Sequence, residues 1–196
     1  MLSPAYAPLR VACANNDWLW PISELQEACL QDSIKIVIKD DMYLYNYKDA
    51  PLVERNHPAL IRCRGLVLNK NGGILNYPFD RFFNHWEKEA IKIDWQSVEI
   101  QEKLDGSLIC VFWTGKDWEI TTRGSFYPNP NESFKAQAFD MWARTYLDTD
   151  KLYKGYCYMF ELVSPNNRIV TKYNQNEMGV YLIGARNLMT LQEVPQ

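Results

Sequence analysis

Short strand-like stretches joined by tight polar turns run through most of this chain, and they restrict it to a fold built on antiparallel sheet. IKIVIK (34–39) alternates apolar and basic residues, and MYLYNY (42–47) follows across Asp40-Asp41, which predicts a hairpin. After a loop containing Pro51 and Pro58, GLVLN (65–69) and ILNYPF (74–79) flank a second turn, Asn71-Gly72-Gly73. VEIQEK (98–103), SLICVFWT (107–114) and DWEITTR (117–123) predict a meander with Gly106 in its first turn and Gly115-Lys116 in its second. YCYMFELV (156–163) and GVYLIGA (179–185) complete the strands. One helix is expected over 23–31, where Ser23 and Gln26 form a capping box and Leu25, Ala28 and Cys29 an apolar stripe. Another is expected over 133–147, with Phe134, Ala138, Met141, Trp142 and Thr145 on one face. The class is α+β.

Composition narrows the function. Hydrophobic residues make up 47% of the chain, enough for one substantial core. No apolar run approaches the roughly 20 residues that cross a bilayer, and the N-terminus lacks the pattern of a secretory signal. A cytoplasmic protein with no membrane association is expected. The five cysteines are odd in number and form no C-x-x-C pair, which disfavours a disulfide framework or a zinc site. Cys63, Cys110 and Cys157 lie in apolar stretches and read as buried small hydrophobes. A net charge of −3 argues against coating nucleic acid by charge alone, yet it allows one local basic groove.

The stretch that carries chemistry is Glu102-Lys103-Leu104-Asp105-Gly106-Ser107. A lysine held at a strand end can attack the α-phosphate of a nucleotide, and the following glycine lets backbone approach phosphate. On strand alternation Lys103 and Asp105 share a face and Glu102 points to the other. An ordinary lysine amine is protonated at neutral pH, and a neighbouring aspartate works against its release. The chemistry therefore calls for cationic help from Mg²⁺ and nearby arginines. The structural alternative is a solvated lysine beside an Asp-Gly turn.

Four further segments accompany it: Cys63-Arg64-Gly65-Leu66-Val67-Leu68, Tyr77-Pro78-Phe79-Asp80-Arg81-Phe82-Phe83-Asn84, Thr122-Arg123-Gly124-Ser125, and the run from Phe160-Glu161 to Ile169-Val170. With the lysine motif they resemble the bacteriophage-type ATP-dependent RNA ligases of the tRNA-repair branch, within the covalent lysine nucleotidyltransferase superfamily. The resemblance runs from about Tyr43 to Arg186. It implies one antiparallel-sheet nucleotidyltransferase domain (ATP-grasp-like) over 1–196, with an N-terminal helix and strand segment over 1–40 and a core over 41–186. It further implies that Lys103 forms lysyl-AMP with ATP and Mg²⁺, within a catalytic group that includes Asp105 and Arg64. Arg64 and Arg81 would meet ATP phosphates or the RNA end, and Tyr45 would line the nucleotide pocket. Arg123, Glu102 and Gly106 would position nucleotide or RNA, and Glu161 would bind ribose hydroxyls or metal. Residues 179–186 would wall the adenine site. RNA with broken ends, tRNA-like, is the implied substrate, and an end-healing kinase or phosphatase the implied partner.

The residues leave other readings open. Beside glycine, the guanidinium forks of Arg64 and Arg123 suit phosphate, whereas an arginine at a strand edge is more commonly solvated. Glu161 shares a strand face with Met159 and Val163, so its alternative is a structural pair with Arg168. At least one of Phe82 and Phe83 is expected in the core, His85 on the surface, and His57 carries no signal. Arg81 stands where this branch commonly has lysine. Family members also continue into a Glu-Gly strand and a Lys-x-Lys strand, and neither pattern occurs here. A C-terminally truncated domain with weak or absent self-adenylylation is therefore expected. Rival functions are a DNA ligase, a GTP-using capping enzyme, or a non-catalytic RNA-binding remnant.

Overall fold

Two antiparallel sheets packed face to face form the body of the protein. The structure, a computed structural model, describes residues 3–15, 32–49, 51, 54–126, 141–165 and 170–194. A 3-10 turn (Pro4–Tyr6), capped by the Ser3 side chain, leads into α1 (Ala7–Asn15). Strands β1 (Ile34–Lys39) and β2 (Met42–Tyr47) form the expected hairpin across Asp40-Asp41. Helix α2 (Pro58–Arg62) follows, started by Pro58 and capped by the His57 ring, which accepts from the Ala59 amide at 3.2 Å. It leads directly into β3 (Arg64–Asn69), and β4 (Ile74–Asn76) completes a sheet ordered β1-β2-β3-β4. The second sheet contains β5 (Ser107–Trp113), β6 (Trp118–Thr122), β7 (Tyr156–Val163), β8 (Gly179–Asn187) and β9 (Glu193–Val194). Its order is β6-β5-β7-β8-β9.

Strand alternation divides the core into three layers. Tyr45, Leu66 and Leu68 leave one face of the first sheet and pack with Leu9 of α1 and Leu60 of α2. Leu44 and Val67 leave its other face and meet Cys110, Phe112, Cys157 and Met159 of the second sheet. Ile109, Val111, Tyr158, Phe160 and Leu162 point away from that interface and pack with Ala143, in helical residues 141–146. An ion pair at 2.8 Å between Lys39 of β1 and Glu119 of β6 ties the two sheets at one margin.

Several expectations need correction. VEIQEK (98–103) forms no strand, and residues 77–106 contain no helix or strand. Val98 and Ile100 alternate as a strand would, but they are 47% and 95% exposed, with no sheet edge to pair them. ILNYPF stops at Asn76, because Pro78 has no amide hydrogen for a ladder. Helix α2 replaces part of the proline-containing loop. The helix expected over 23–31 lies outside the described residues, as do 133–140 of the later one.

Candidate functional site

The end of α2 and the start of β3 set two arginines side by side in sequence, with different tasks. Arg62 binds Asp80 at 2.6 Å and the Tyr77 hydroxyl at 2.9 Å, and that hydroxyl also donates to Asp80 at 2.6 Å. This triad, with the Arg81 amide donating to Ile61 O at 2.9 Å, pins segment 77–83 against α2. Arg64 is turned differently. Its guanidinium carbon lies 5.1 Å from the Phe82 ring centre, and its Nη1 is buried without a hydrogen-bond partner. Gly65 beside it has φ +91, a conformation glycine adopts freely, and its Cα side lies against the Arg123 backbone.

Arg81 sits 4.1 Å from the ring centre of Tyr47 and 5.1 Å from that of Phe83. Its Nη1 is also buried without a partner. Burial lowers its pKa, and the neighbouring charge of Arg55 lowers it further. Arg123 approaches the Tyr47 ring at 5.3 Å and donates to the Tyr47 hydroxyl at 3.3 Å. Arg55 approaches the Phe83 ring at 5.3 Å and pairs with Glu87 at 2.7 Å. Rings and guanidinium groups thus alternate, Arg55–Phe83–Arg81–Tyr47–Arg123.

The lysine motif is fixed by two residues that follow the lysine. The buried carboxylate of Asp105 accepts from the amides of Val170 and Thr171 at 2.6 and 2.7 Å, and its own amide donates to the Tyr173 hydroxyl at 2.9 Å. Gly106 donates to Glu161 Oε1 at 2.9 Å. A Cβ on Gly106 would stand 2.3 Å from Leu162 O. The glycine is required by the neighbouring strand, whatever ligand approaches it. Lys103 lies two residues before Asp105, exposed and outside any strand. Residues 98–106 form no strand, so no ladder fixes Lys103 and Asp105 in alternation.

Glu161 projects from β7 on the face that carries Cys157 and Met159, toward the first sheet. Burial raises its pKa. The Gly106 amide, Lys103 and Arg64 pull it down, while Asp105 pushes it up. The charges of Lys103 and Arg64 therefore both reach Glu161. Tyr45 does not join this group. It is fully buried in the layer under α1, with its hydroxyl donating to Ala5 O at 3.0 Å, and Tyr47 takes its place beside the arginines. Glu102 is exposed. Phe82 is exposed and Phe83 half-buried, so neither joins the core. In β8, Ile183 faces the layer between the sheets, Gly184 lies against Phe79, and Arg186 is tied to Leu191 O and Glu193. Arg168, the alternative partner of Glu161, lies outside the described residues.

Residues 62–196 match the sequence profile of a family described as RNA ligase. The chain belongs to the phage-type RNA ligase family. It is 32% identical over 189 residues to a provisionally named bifunctional polynucleotide kinase/RNA ligase of Autographa californica nuclear polyhedrosis virus, covering 81% of this chain and 26% of that protein. It is 25% identical over 201 residues to an RNA ligase of Rhodothermus phage RM378, covering 83% of this chain and 45% of the relative. It is 28% identical over 142 residues to RNA ligase 1 of bacteriophage TS2126, covering 67% and 35%. The chain thus spans less than half the length of each of these relatives. Within the matched stretch lie Arg64, Arg81, Lys103, Arg123 and Glu161; Tyr47 precedes it.

Proposed function

We propose that this protein is an ATP-dependent RNA ligase that joins an RNA 5′-phosphate to a 3′-hydroxyl through lysyl-AMP on Lys103. The observation that carries the reading is the pair of buried guanidinium nitrogens, Nη1 of Arg64 and Nη1 of Arg81, without hydrogen-bond partners. Leaving such a donor unsatisfied costs about 1–3 kcal/mol or more. A phosphate chain offers many oxygens to both, next to a lysine whose charge reaches Glu161.

In the first step the Lys103 amine, having lost a proton to solvent, attacks the α-phosphorus. The N–P bond forms, the bond to the bridging oxygen breaks, and pyrophosphate leaves. An RNA 5′-phosphate oxygen then attacks the same phosphorus, the N–P bond breaks, and the amine takes up a proton. An RNA 3′-hydroxyl finally attacks the RNA 5′-phosphorus, losing its proton, and AMP departs. Arg64 and Arg81 hold non-bridging oxygens, and Arg123 braces Tyr47 beneath Arg81. Asp105 and Gly106 aim the lysine by anchoring the residues after it.

The described residues contain no group of three or more His, Cys, Asp or Glu that would cage a metal. Mg²⁺ is commonly bound by one or two carboxylates together with substrate phosphates, and Glu161 supplies one such carboxylate. Bound there, it would neutralise phosphate charge. One relative's name joins a polynucleotide kinase to an RNA ligase, so RNA with broken ends is the favoured substrate and an end-phosphorylating enzyme the favoured partner.

Intact mass after incubation with ATP and Mg²⁺ tests the reading. An AMP-sized gain, on a small fraction of the chains where self-adenylylation is weak, is expected with ATP, absent with GTP and absent in Lys103→Ala. A gain that survives Lys103→Ala would overturn it. Binding of RNA untouched by Lys103→Ala, with no gain under any condition, would favour a non-catalytic RNA-binding protein.

A further inference from the structure

Lys103 is exposed in a segment that makes no strand, so its aim depends on what holds the chain beside it. Among the described residues, the hydrogen bond nearest to it in sequence runs from the Asp105 amide to the Tyr173 hydroxyl oxygen, 2.9 Å long and spanning 68 residues. That amide belongs to the Leu104–Asp105 peptide, and a peptide is planar, so fixing its N–H also fixes the Leu104 carbonyl and Cα. Only the two backbone dihedrals of half-buried Leu104 then separate this plane from the one that carries the Lys103 Cα. The other anchors act further along. The Asp105 carboxylate holds Val170 and Thr171 through its own rotatable side chain, and the Gly106 amide reaches Glu161.

Tyr173 stands within residues 170–174, which form no helix or strand, yet the chain is held on both sides of it. Before it, Val170 and Thr171 donate to Asp105 at 2.6 and 2.7 Å. After it, Asn174 donates its amide and its Nδ2 to Glu177 Oε2 at 2.8 and 2.9 Å, in the 3-10 turn Gln175–Glu177. The Tyr181 hydroxyl of β8 donates to Glu177 O at 2.8 Å. A line of support thus runs from β8 through this turn to Tyr173, and from Tyr173 to the peptide beside the lysine. A tyrosine carries its oxygen at the end of a rigid ring with few torsions, so a long reach costs little conformational entropy. None of these contacts touches the supports of the arginines: Arg64 leaves β3, and Arg81 follows a segment pinned to α2.

We propose that Tyr173 is a positioning residue for Lys103, its hydroxyl oxygen setting the peptide plane from which the amine is aimed at the α-phosphate. The proposal rests on the ligase reading, which supplies the reaction.

Tyr173→Phe keeps the ring and removes the acceptor. The first readout is transfer of label from α-labelled ATP to the full chain, followed in single turnover with Mg²⁺ over a range of ATP concentrations. The rate at saturating ATP is expected to fall by about 10-fold to about 100-fold, the cost of misplacing the nucleophile by up to about 1 Å. The ATP concentration that gives half this rate should move by less than about 3-fold, because the phosphate contacts stay in place. The second readout is sealing of an RNA that already carries AMP on its 5′-phosphate, a step that bypasses the lysine amine. Tyr173→Phe should seal it at the wild-type rate. Capture by Tyr173→Phe at the wild-type rate overturns the proposal. So does half-saturating ATP that rises in proportion to the loss of rate, or sealing of the pre-activated RNA that falls as far as capture, because Tyr173 would then support the fold at large. A wild-type protein that captures no AMP would sink the ligase reading and this proposal with it, whereas wild-type capture that Tyr173→Phe leaves unaltered sinks this proposal alone.

Discussion

Gly106→Ala tests how the lysine is aimed without touching it. The added Cβ would lie 2.3 Å from Leu162 O and 2.9 Å from Leu162 C. Both atoms are backbone, so no side chain can move aside. The start of β5 must part from β7 by roughly 1 Å to regain ordinary contact. That shift stretches the 2.9 Å bond from the Gly106 amide to Glu161 past hydrogen-bonding distance. Overpacking costs about 1–3 kcal/mol. A hydrogen bond to a charged group contributes about 1.5–3 kcal/mol, less for this half-buried carboxylate. A net loss of about 2–4 kcal/mol is expected, or roughly 5–15 °C in Tm for a chain of this size. Lys103 stands three residues upstream, and a displacement near 1 Å costs about a hundredfold in rate. Urea denaturation and time-resolved AMP capture measure the two effects. Lys103→Ala is the control, abolishing capture while shifting stability by less than about 0.5 kcal/mol, since its side chain is exposed. A Gly106→Ala protein as stable as wild type, capturing AMP at the wild-type rate, would refute this account of the motif.

Arg64→Met should weaken ATP binding by between about 10-fold and about 150-fold, the value of a charge-assisted contact, in AMP capture titrated against ATP. Tyr47→Leu removes the ring beside Arg81 and Arg123 and should weaken ATP by about 5-fold to about 150-fold, whereas Tyr47→Phe keeps the ring and should cost less than about 5-fold. Glu161 has a raised pKa, so the folded state binds its proton more tightly than the unfolded chain does. Stability should therefore fall as pH rises from the ordinary carboxylate range through its folded value, and Glu161→Gln should remove that slope in urea melts at pH 4 to 8. Burial pushes the Cys110 thiol up to about 12 and the Cys157 thiol up to about 11. Among the described cysteines, iodoacetamide at pH 8 should label half-buried Cys13 first in the native protein, and reach Cys110 and Cys157 only on unfolding, as followed by peptide mass mapping.

Much of the fold was legible because one face of most strands is dry. IKIVIK, MYLYNY, GLVLN and YCYMFELV each form strands at or near the expected bounds, and Glu161 falls on the predicted face with Met159. The same periodicity misled at VEIQEK, where Val98 and Ile100 alternate but both stay exposed and no described strand pairs with them. Alternation also puts Tyr43, Tyr45 and Tyr47 on one face, and only depth separates them. The break in register between Tyr45 and Asn46 brings Tyr47 to the sheet margin, while Tyr45 stays beneath α1. Asp105 read as a chemical group because it neighbours the lysine. Its actual partners, Val170 and Thr171, lie 65 and 66 residues away, a distance no local pattern reports. Glycine after Asp105 signalled a close approach correctly, but the approaching atom belongs to Leu162.

On the proposed ligase reading, the way the arginines are held would let an acidic chain present a site for polyanions. With 24 Asp and Glu against 21 Lys and Arg, the overall field offers phosphate no attraction. A carboxylate beside each arginine would fix its geometry, but it would also occupy its N–H donors in strong charge-assisted bonds that an incoming phosphate would have to break. Arg64 and Arg81 rest on the rings of Phe82, Phe83 and Tyr47, and Arg123 on Tyr47. A ring attracts the cation through its face and accepts little from the in-plane N–H groups, so charge and donors stay available. Arg55, at the far end of the series, is the member neutralised by acids, Glu87 and Glu89. It steadies Phe83, whereas Arg64, Arg81 and Arg123 have no carboxylate among the ring and hydrogen-bond contacts they make with described residues.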